Sequence, residues 1–156
     1  MKKTLKTKEI LSAHQVLGTA KYEKLEDADK IRVWKIARQM KPIATKFDED
    51  AKDAAEKMKP SDDFTERLQK AQEYEQMIRK PDLDAQKLPM GAAEYDEFIK
   101  ELRKYNKLVD DAVREFADKE VELDFEPVSE DAFGKLMASN QWTMAQAVEL
   151  GEMITE

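Results

Sequence analysis

Apolar side chains recur at helical spacing along most of this chain, and each recurrence predicts an element. Ile10, Leu11, Ala13, Val16 and Leu17 predict a first helix over residues 8–22, with Thr7 as its N-cap and Gly18 weakening its last turns. Ile36, Met40, Ile43, Phe47, Ala51, Ala54 and Met58 are separated by 4, 3, 4, 4, 3 and 4 residues. They form one seam of coiled-coil type on a helix running from Asp27 to Met58, where Lys59-Pro60-Ser61-Asp62 ends it. Ile31 and Trp34 fall on the opposite side from Ile36 and Ile43, so the first half of this helix is expected to be sandwiched between neighbours. Pro42 removes a backbone donor and crowds the Arg38 carbonyl, which predicts a kink or a break there.

Asp63 with Glu66 is a capping-box pattern, with Ser61 and Asp62 as alternative caps. It opens a helix to Arg79 with Phe64, Leu68, Ala71 and Ile78 inward. Residues 80–91 (KPDLDAQKLPMG) hold two prolines, a glycine and no period, and are expected to be an exposed loop. A second long helix follows over residues 92–119, its Tyr95, Phe98, Leu102, Tyr105, Val109, Ala112 and Phe116 spaced 3, 4, 3, 4, 3 and 4 apart. Neither long seam can be buried alone, and packing the two helices antiparallel satisfies both.

Residues 120–127 (EVELDFEP) alternate Val121, Leu123 and Phe125 with acids, the period of a half-buried strand closed by a proline. A strand needs a partner, and Lys2 to Lys6 is the one other strand-like segment. Pairing them sets lysines opposite carboxylates. Ser129 is expected to cap a short helix through Met137. Thr143 with Gln146 makes a capping box for a last helix holding Met144, Ala147, Val148 and Ile154, with methionines and Trp142 filling that end. The expected fold is mainly α with a minor two-stranded β-ribbon. It is an antiparallel pair of long helices with short helices packed at one end, in a single domain over residues 1–156.

Charge changes this picture by offering a reason for the ribbon. The 156 residues carry 27 Lys and Arg against 34 Asp and Glu, a net charge of −7, unevenly placed. Residues 1–46 hold 12 bases against 5 acids, and residues 120–156 hold 9 acids against the single base Lys135. Two chain ends that attract each other explain this better than a basic arm for a polyanion, because screening over roughly 8 to 10 Å rewards charges that sit close together. With no apolar run of membrane-spanning length, and no apolar stretch and cleavage site after MKKTLKTKEI, the chain is expected to stay in the cytoplasm that made it, with no membrane partner.

The inventory of reactive groups is short. There is no cysteine, so disulfides, thiolate nucleophiles and cysteine-based metal centres are excluded. The sole histidine, His14, lies in the first helix without a nucleophile-elbow serine and reads as a surface or boundary residue. Gly18, Gly91, Gly134 and Gly151 stand singly, with no phosphate-cradling motif. Asp48-Glu49-Asp50 with Asp53 lacks the glycine turn and twelfth-position glutamate of a calcium loop. That run, Asp82 with Asp84, and Asp110-Asp111 all read as solvated acids. No catalytic residue, cofactor or metal is expected, and the chain is not expected to be an enzyme. Lys30, Arg32, Lys35, Arg38, Lys41 and Lys46 accompany Trp34 on one helix, as a nucleic-acid strip would. The six spread around the cylinder and Trp34 is expected to be buried toward Ile31, which with the net charge disfavours nucleic acid.

Several segments carry a resemblance: the basic KKTLKTKEI, the lysine-rich DKIRVWKIARQMKPIATKFDED, the long EFIKELRKYNKLVDDAVREFADKE, the acidic VELDFEPVSEDAF and the closing WTMAQAVELGEMI. In their order and character they resemble a family of small helical proteins encoded in bacteriophages and prophages, over about two thirds of the chain. Pro42 and a longer 80–91 loop depart from the family pattern. The resemblance implies an origin in a phage or mobile element, a bacterial cytoplasmic or virion-associated location, and no catalytic residues to carry over. The expected function is a non-catalytic interaction or structural protein that works through helical surfaces on a protein partner. Candidate contact residues are Trp34, Arg38 and Lys41 on the first long helix. On the second they are Ile99, Leu108 and Val113, which flank the seam and suggest a homodimer. The alternatives are an acidic decoy of a host nucleic-acid-binding protein, using carboxylates of the second long helix and C-terminal third, or weak nucleic-acid binding through residues 30–46.

Overall fold

A computed structural model describes residues 1–81 and 87–156. Asp82 and Asp84 lie outside the described residues, as does the middle of the expected 80–91 loop. The elements are β1 (Lys2–Lys6), α1 (Thr7–Gly18), α2 (Asp27–Lys57), α3 (Phe64–Ile78), α4 (Ala92–Asp118), β2 (Glu120–Asp124), α5 (Glu130–Ser139) and α6 (Met144–Ile154). The protein is mainly α, with a two-stranded antiparallel sheet. No described helix is long and apolar enough to cross a membrane. Packing divides the chain into two compact units, residues 1–50 with 114–156 and residues 51–113.

In the first unit, β1 pairs antiparallel with β2 in the register Lys2 to Asp124, Thr4 to Glu122 and Lys6 to Glu120. The charges expected to face each other do so, and Lys2 Nζ sits 3.1 Å from Glu122 on the diagonal. The N-terminal ammonium extends the ribbon by donating to the Phe125 carbonyl at 2.7 Å. Lys3 turns to the inner face, where its ammonium donates to the Glu152 carbonyl and, at 2.9 Å, to that of Thr155. A cation thus meets the carbonyls at the end of α6, where the helix dipole favours positive charge. Burial pushes the Lys3 amine below its ordinary value, with the Glu152 carboxylate working the other way.

Above the ribbon, Ile10, Ala13 and Leu17 of α1 and Val33, Ile36 and Met40 of α2 pack with Leu123, Phe125 and Val128. Phe133 and Leu136 of α5 and Leu150 and Ile154 of α6 complete this core. Ser129 caps α5 through the Ala132 N–H, and Thr143 with Gln146 forms the expected capping box on α6. Thr7 is not a cap. Its backbone N–H and its hydroxyl both donate to the Lys119 carbonyl at 2.9 Å, tying the start of α1 to the chain leaving α4. The first turn of α1 is closed instead by the Glu9 carboxylate, which accepts from the Lys6 N–H at 2.6 Å. The helix stops at Gly18, short of Tyr22, because the Tyr22 hydroxyl donates back to the Leu17 carbonyl and residues 19–26 form a turn. Asn140 holds that turn, accepting from the Lys21 N–H at 2.7 Å and donating to the Lys21 and Leu136 carbonyls.

α2 is continuous through Pro42, without the expected break. Pro42 is on the exposed side, so water can satisfy the Arg38 carbonyl that loses its intrahelical donor. The expected sandwich of the first half of α2 does not form. Ile31 is 54% and Trp34 56% exposed, because the neighbouring elements all meet the Val33, Ile36 and Met40 side. Met144 and Val148 of α6 are likewise exposed, and Leu150 and Met153 take the inward positions.

The second unit is an aromatic cluster between α3 and α4. Phe64 packs its ring 5.5 Å from Phe98 and 4.7 Å from Tyr105, and Tyr74 stacks on Tyr95 at 4.6 Å. Tyr74 fills the place expected for Ile78, which is 43% exposed near the end of α3. Met90 is buried against this cluster, so the end of the 80–91 segment is part of the core and not an exposed loop. The capping box expected at Asp63 is absent. Its carboxylate accepts from the Ser61 hydroxyl at 2.6 Å and lies 3.4 Å from Arg67 Nε. Arg67 reaches across to α4, where its two terminal guanidinium nitrogens donate to Glu101 at 2.7 and 3.0 Å. The Tyr105 hydroxyl donates to the Ala55 carbonyl of α2 at 2.7 Å. In the first unit Phe47 of α2 and Phe116 of α4 line one groove.

Two stability measurements test this account. Gly134 lies exposed inside α5 with open space where a Cβ would go, whereas a Cβ at Gly151 would stand 3.2 Å from the Phe133 ring. Gly134→Ala is expected to stabilise by about 0.5 to 1 kcal/mol, and Gly151→Ala to gain less or to destabilise, in urea unfolding. The Arg67 hydrogen bonds hold the Glu101 carboxyl below its ordinary value. A depressed carboxylate stabilises the folded state above its unfolded pKa and loses that contribution as pH falls through the folded value. Glu101→Gln should therefore cost roughly 1 kcal/mol at neutral pH, and the gap to the parent should close as pH falls below the ordinary glutamate range.

Candidate functional site

The candidate contact residues occupy two helix faces. On α2, with the core contacts Val33, Ile36 and Met40 on one side, Trp34, Arg38 and Lys41 fall within about 60° of one another on the other, at 3.6 residues per turn. All three are exposed, and Ile31 and Lys35 lie beside them. The Arg38 guanidinium sits 5.2 Å from the centroid of the Trp34 ring, a cation–π contact at the surface.

The six cations of residues 30–46 divide by their partners. Lys30 lies 3.6 Å from Asp27, Arg32 lies 2.7 Å from Asp29 and 2.5 Å from Glu126, and Lys46 lies 2.7 Å from Asp50. The hydrogen bond from Arg32 holds the Glu126 carboxyl below its ordinary range, and that from Lys46 to Asp50 raises the lysine. Lys35, Arg38 and Lys41 have no carboxylate within 4.0 Å among the described residues. Half of the basic strip is therefore consumed by the fold and half faces solvent. Spacing along α2 marks Trp34, Arg38 and Lys41 as sharing a face, and Lys30, Arg32 and Lys46 each find a carboxylate three or four residues away on the same helix, with Glu126 adding a distant partner for Arg32.

On α4 the three residues diverge. Ile99 packs against the Phe64 cluster at the rim of the second core, Val113 is half-buried, and Leu108 is 55% exposed. Between Tyr95 and Val113 the fully buried apolar side chain is Phe98; Leu102, Tyr105, Val109 and Ala112 keep partial exposure. The most regular seam in the chain is thus only partly covered.

The remaining candidates are dispersed. His14 is half-buried on α1. Asp48, Glu49 and Asp53 are exposed on α2, Asp50 pairs with Lys46, and Asp111 pairs with Lys107 at 2.9 Å. Among the described residues, no group of three or more such side chains could hold a metal ion. In the first unit, a groove of about 370 Å³ is floored by Ile43, Phe47, Phe116 and Val121 and edged by Lys46 and Lys119. In the second, a cavity of about 510 Å³ opens beside the Arg67–Glu101 pair, lined also by Met90, Phe98, Lys100 and Lys104. Sequence reading missed that pair, since residues 34 apart on different helices leave no local signal.

No protein-family model matches the chain, and no curated protein and no solved structure matches it.

Proposed function

We propose that this chain is a non-catalytic interaction protein of a bacteriophage or prophage, acting through its helical surfaces in particle assembly or in modulation of a host protein. The observation that carries this reading is the partly covered seam of α4. Its apolar residues keep a strict 3 and 4 spacing, yet Leu102, Tyr105, Val109 and Ala112 are only partly buried, and beside them Val113 is half-buried and Leu108 is 55% exposed. An amphipathic helix with this much apolar surface in water is stabilised by a partner that covers it. The phage or prophage setting rests on the resemblance of the sequence segments. A second copy of the chain is the simplest partner, because a two-fold interface needs only one such surface.

Substitution at Leu108 tests the surface without touching either core. Burying a leucine contributes about 1.5 to 3 kcal/mol, so Leu108→Lys should weaken association by roughly 10- to 100-fold. Light scattering over a range of concentrations should show a dimer that the variant loses. A chain that stays monomeric throughout removes the homodimer. The partner is then sought by nuclease-treated affinity capture, where one protein retained by the parent and lost by Leu108→Lys supports the reading. Equal retention by both, or by neither, overturns it.

A further inference from the structure

The outward face of α2 combines three cations with no carboxylate within 4.0 Å among the described residues and a tryptophan that is exposed to water. Residues 30–47 contain six Lys and Arg and no Asp or Glu, in a chain whose net charge is −7. Asp27, Asp29, Glu126 and Asp50 pair with Lys30, Arg32 and Lys46; Lys35 has no carboxylate within 4.0 Å among the described residues but lies near enough to Glu126 to help hold its carboxyl low, and Arg38 and Lys41 have none within that distance. These three rise about 4.5 Å from one to the next along the helix and flank Trp34 on the side opposite the core. Trp34 is 56% exposed and carries the Arg38 guanidinium over its ring. Trp34 is exposed where the spacing predicted burial, which removes one of the three grounds against nucleic acid and leaves the spread of the six cations and the net charge.

Three polyanionic surfaces could meet such a face, and the side chains distinguish them. An acidic peptide would satisfy the cations and leave the indole unused. A lipid bilayer would need a broad apolar stripe, and this face offers only Ile31 and Trp34. Single-stranded nucleic acid brings both complements at once, phosphates for Lys35, Arg38 and Lys41 and unstacked bases for the indole ring. Stacking on an aromatic is tolerant of sequence, so no base-reading hydrogen bonds are required. Asp27 before the strip and Asp48 after it, both exposed, limit it to a few nucleotides.

We propose that the Trp34–Arg38–Lys41 face of α2 binds single-stranded nucleic acid, with Lys35, Arg38 and Lys41 on the phosphates and Trp34 under a base. This site lies on a different helix face from Leu108, so it can fail while the partner-binding reading stands, and the reverse. The test is fluorescence anisotropy of a labelled oligothymidylate of about 20 nucleotides with the full chain. Three phosphate contacts predict roughly a 20-fold loss of affinity between about 50 and about 200 mM salt.

In a Trp142→Phe background, the remaining indole emission should be quenched on binding. The double reversal Arg38→Glu with Lys41→Glu should weaken binding at least about 10-fold. Lys100→Glu on α4, also exposed, should leave it unchanged. If the double variant loses helicity by circular dichroism, Trp34→Ala decides instead, with a fall of about five-fold or more expected. No binding at low salt overturns the proposal, as does unchanged affinity in the folded reversal variant or in Trp34→Ala. Tighter binding to phosphatidylserine vesicles or to polyglutamate than to the oligonucleotide also overturns it.

Discussion

The pairing of β1 with β2 is the contact on which the first unit depends. It joins residues 2–6 to residues 120–124 and so closes a loop of more than a hundred residues. Two five-residue strands make too small a sheet to stand alone in water, and the ribbon persists because its inner face is covered. Leu123 and Phe125 on that face enter the same core as Ile10, Ile36, Leu136 and Ile154. Lys3 extends the tie to the end of α6, and Thr7 extends it to the end of α4. The charge asymmetry of the chain has its physical reading here, since lysines of β1 stand opposite carboxylates of β2. Most of these pairs are exposed, so they favour register more than stability.

The second unit is held by a different device. Phe64, Phe98 and Tyr105 make tilted ring contacts, and Arg67 lies 5.5 Å from the Phe98 ring centroid while forking onto Glu101. A guanidinium that meets a carboxylate in two bonds and an aromatic face in a third contact is fixed in orientation, which lysine could not reproduce. Both units leave helix surface uncovered: Leu108 on α4, Ile31 and Trp34 on α2, Met144 and Val148 on α6.

Element boundaries were legible in the sequence where they rest on local rules, but not at the end of α1 or the start of α3. The Thr143–Gln146 capping box, the Ser129 cap, the alternation of residues 121–125 and the α4 seam all act within a few residues of one another. Hydrophobic period also identified the core sides of both long helices, since a helix can bury only one stripe cheaply. The antiparallel ribbon followed from a shortage of alternatives, because a lone strand must find a partner.

What the sequence could not decide was occupancy. Ile31 and Trp34 have the apolar character of a second buried face, yet no element covers them, while Met90 in a segment rich in proline is buried. Thr7 carries the chemistry of a cap and spends its hydroxyl on Lys119. Arg32 adds the distant Glu126 to its local partner Asp29 and Arg38 meets no carboxylate within 4.0 Å among the described residues, though both sit on one helix four residues from Trp34 or closer. Each of these outcomes depends on which distant segment arrives alongside. Sequence alone determined the elements and their apolar sides, because hydrogen-bonding and spacing rules are local. Tertiary structure alone decided which surfaces stay free, because burial is settled by residues far apart in the chain.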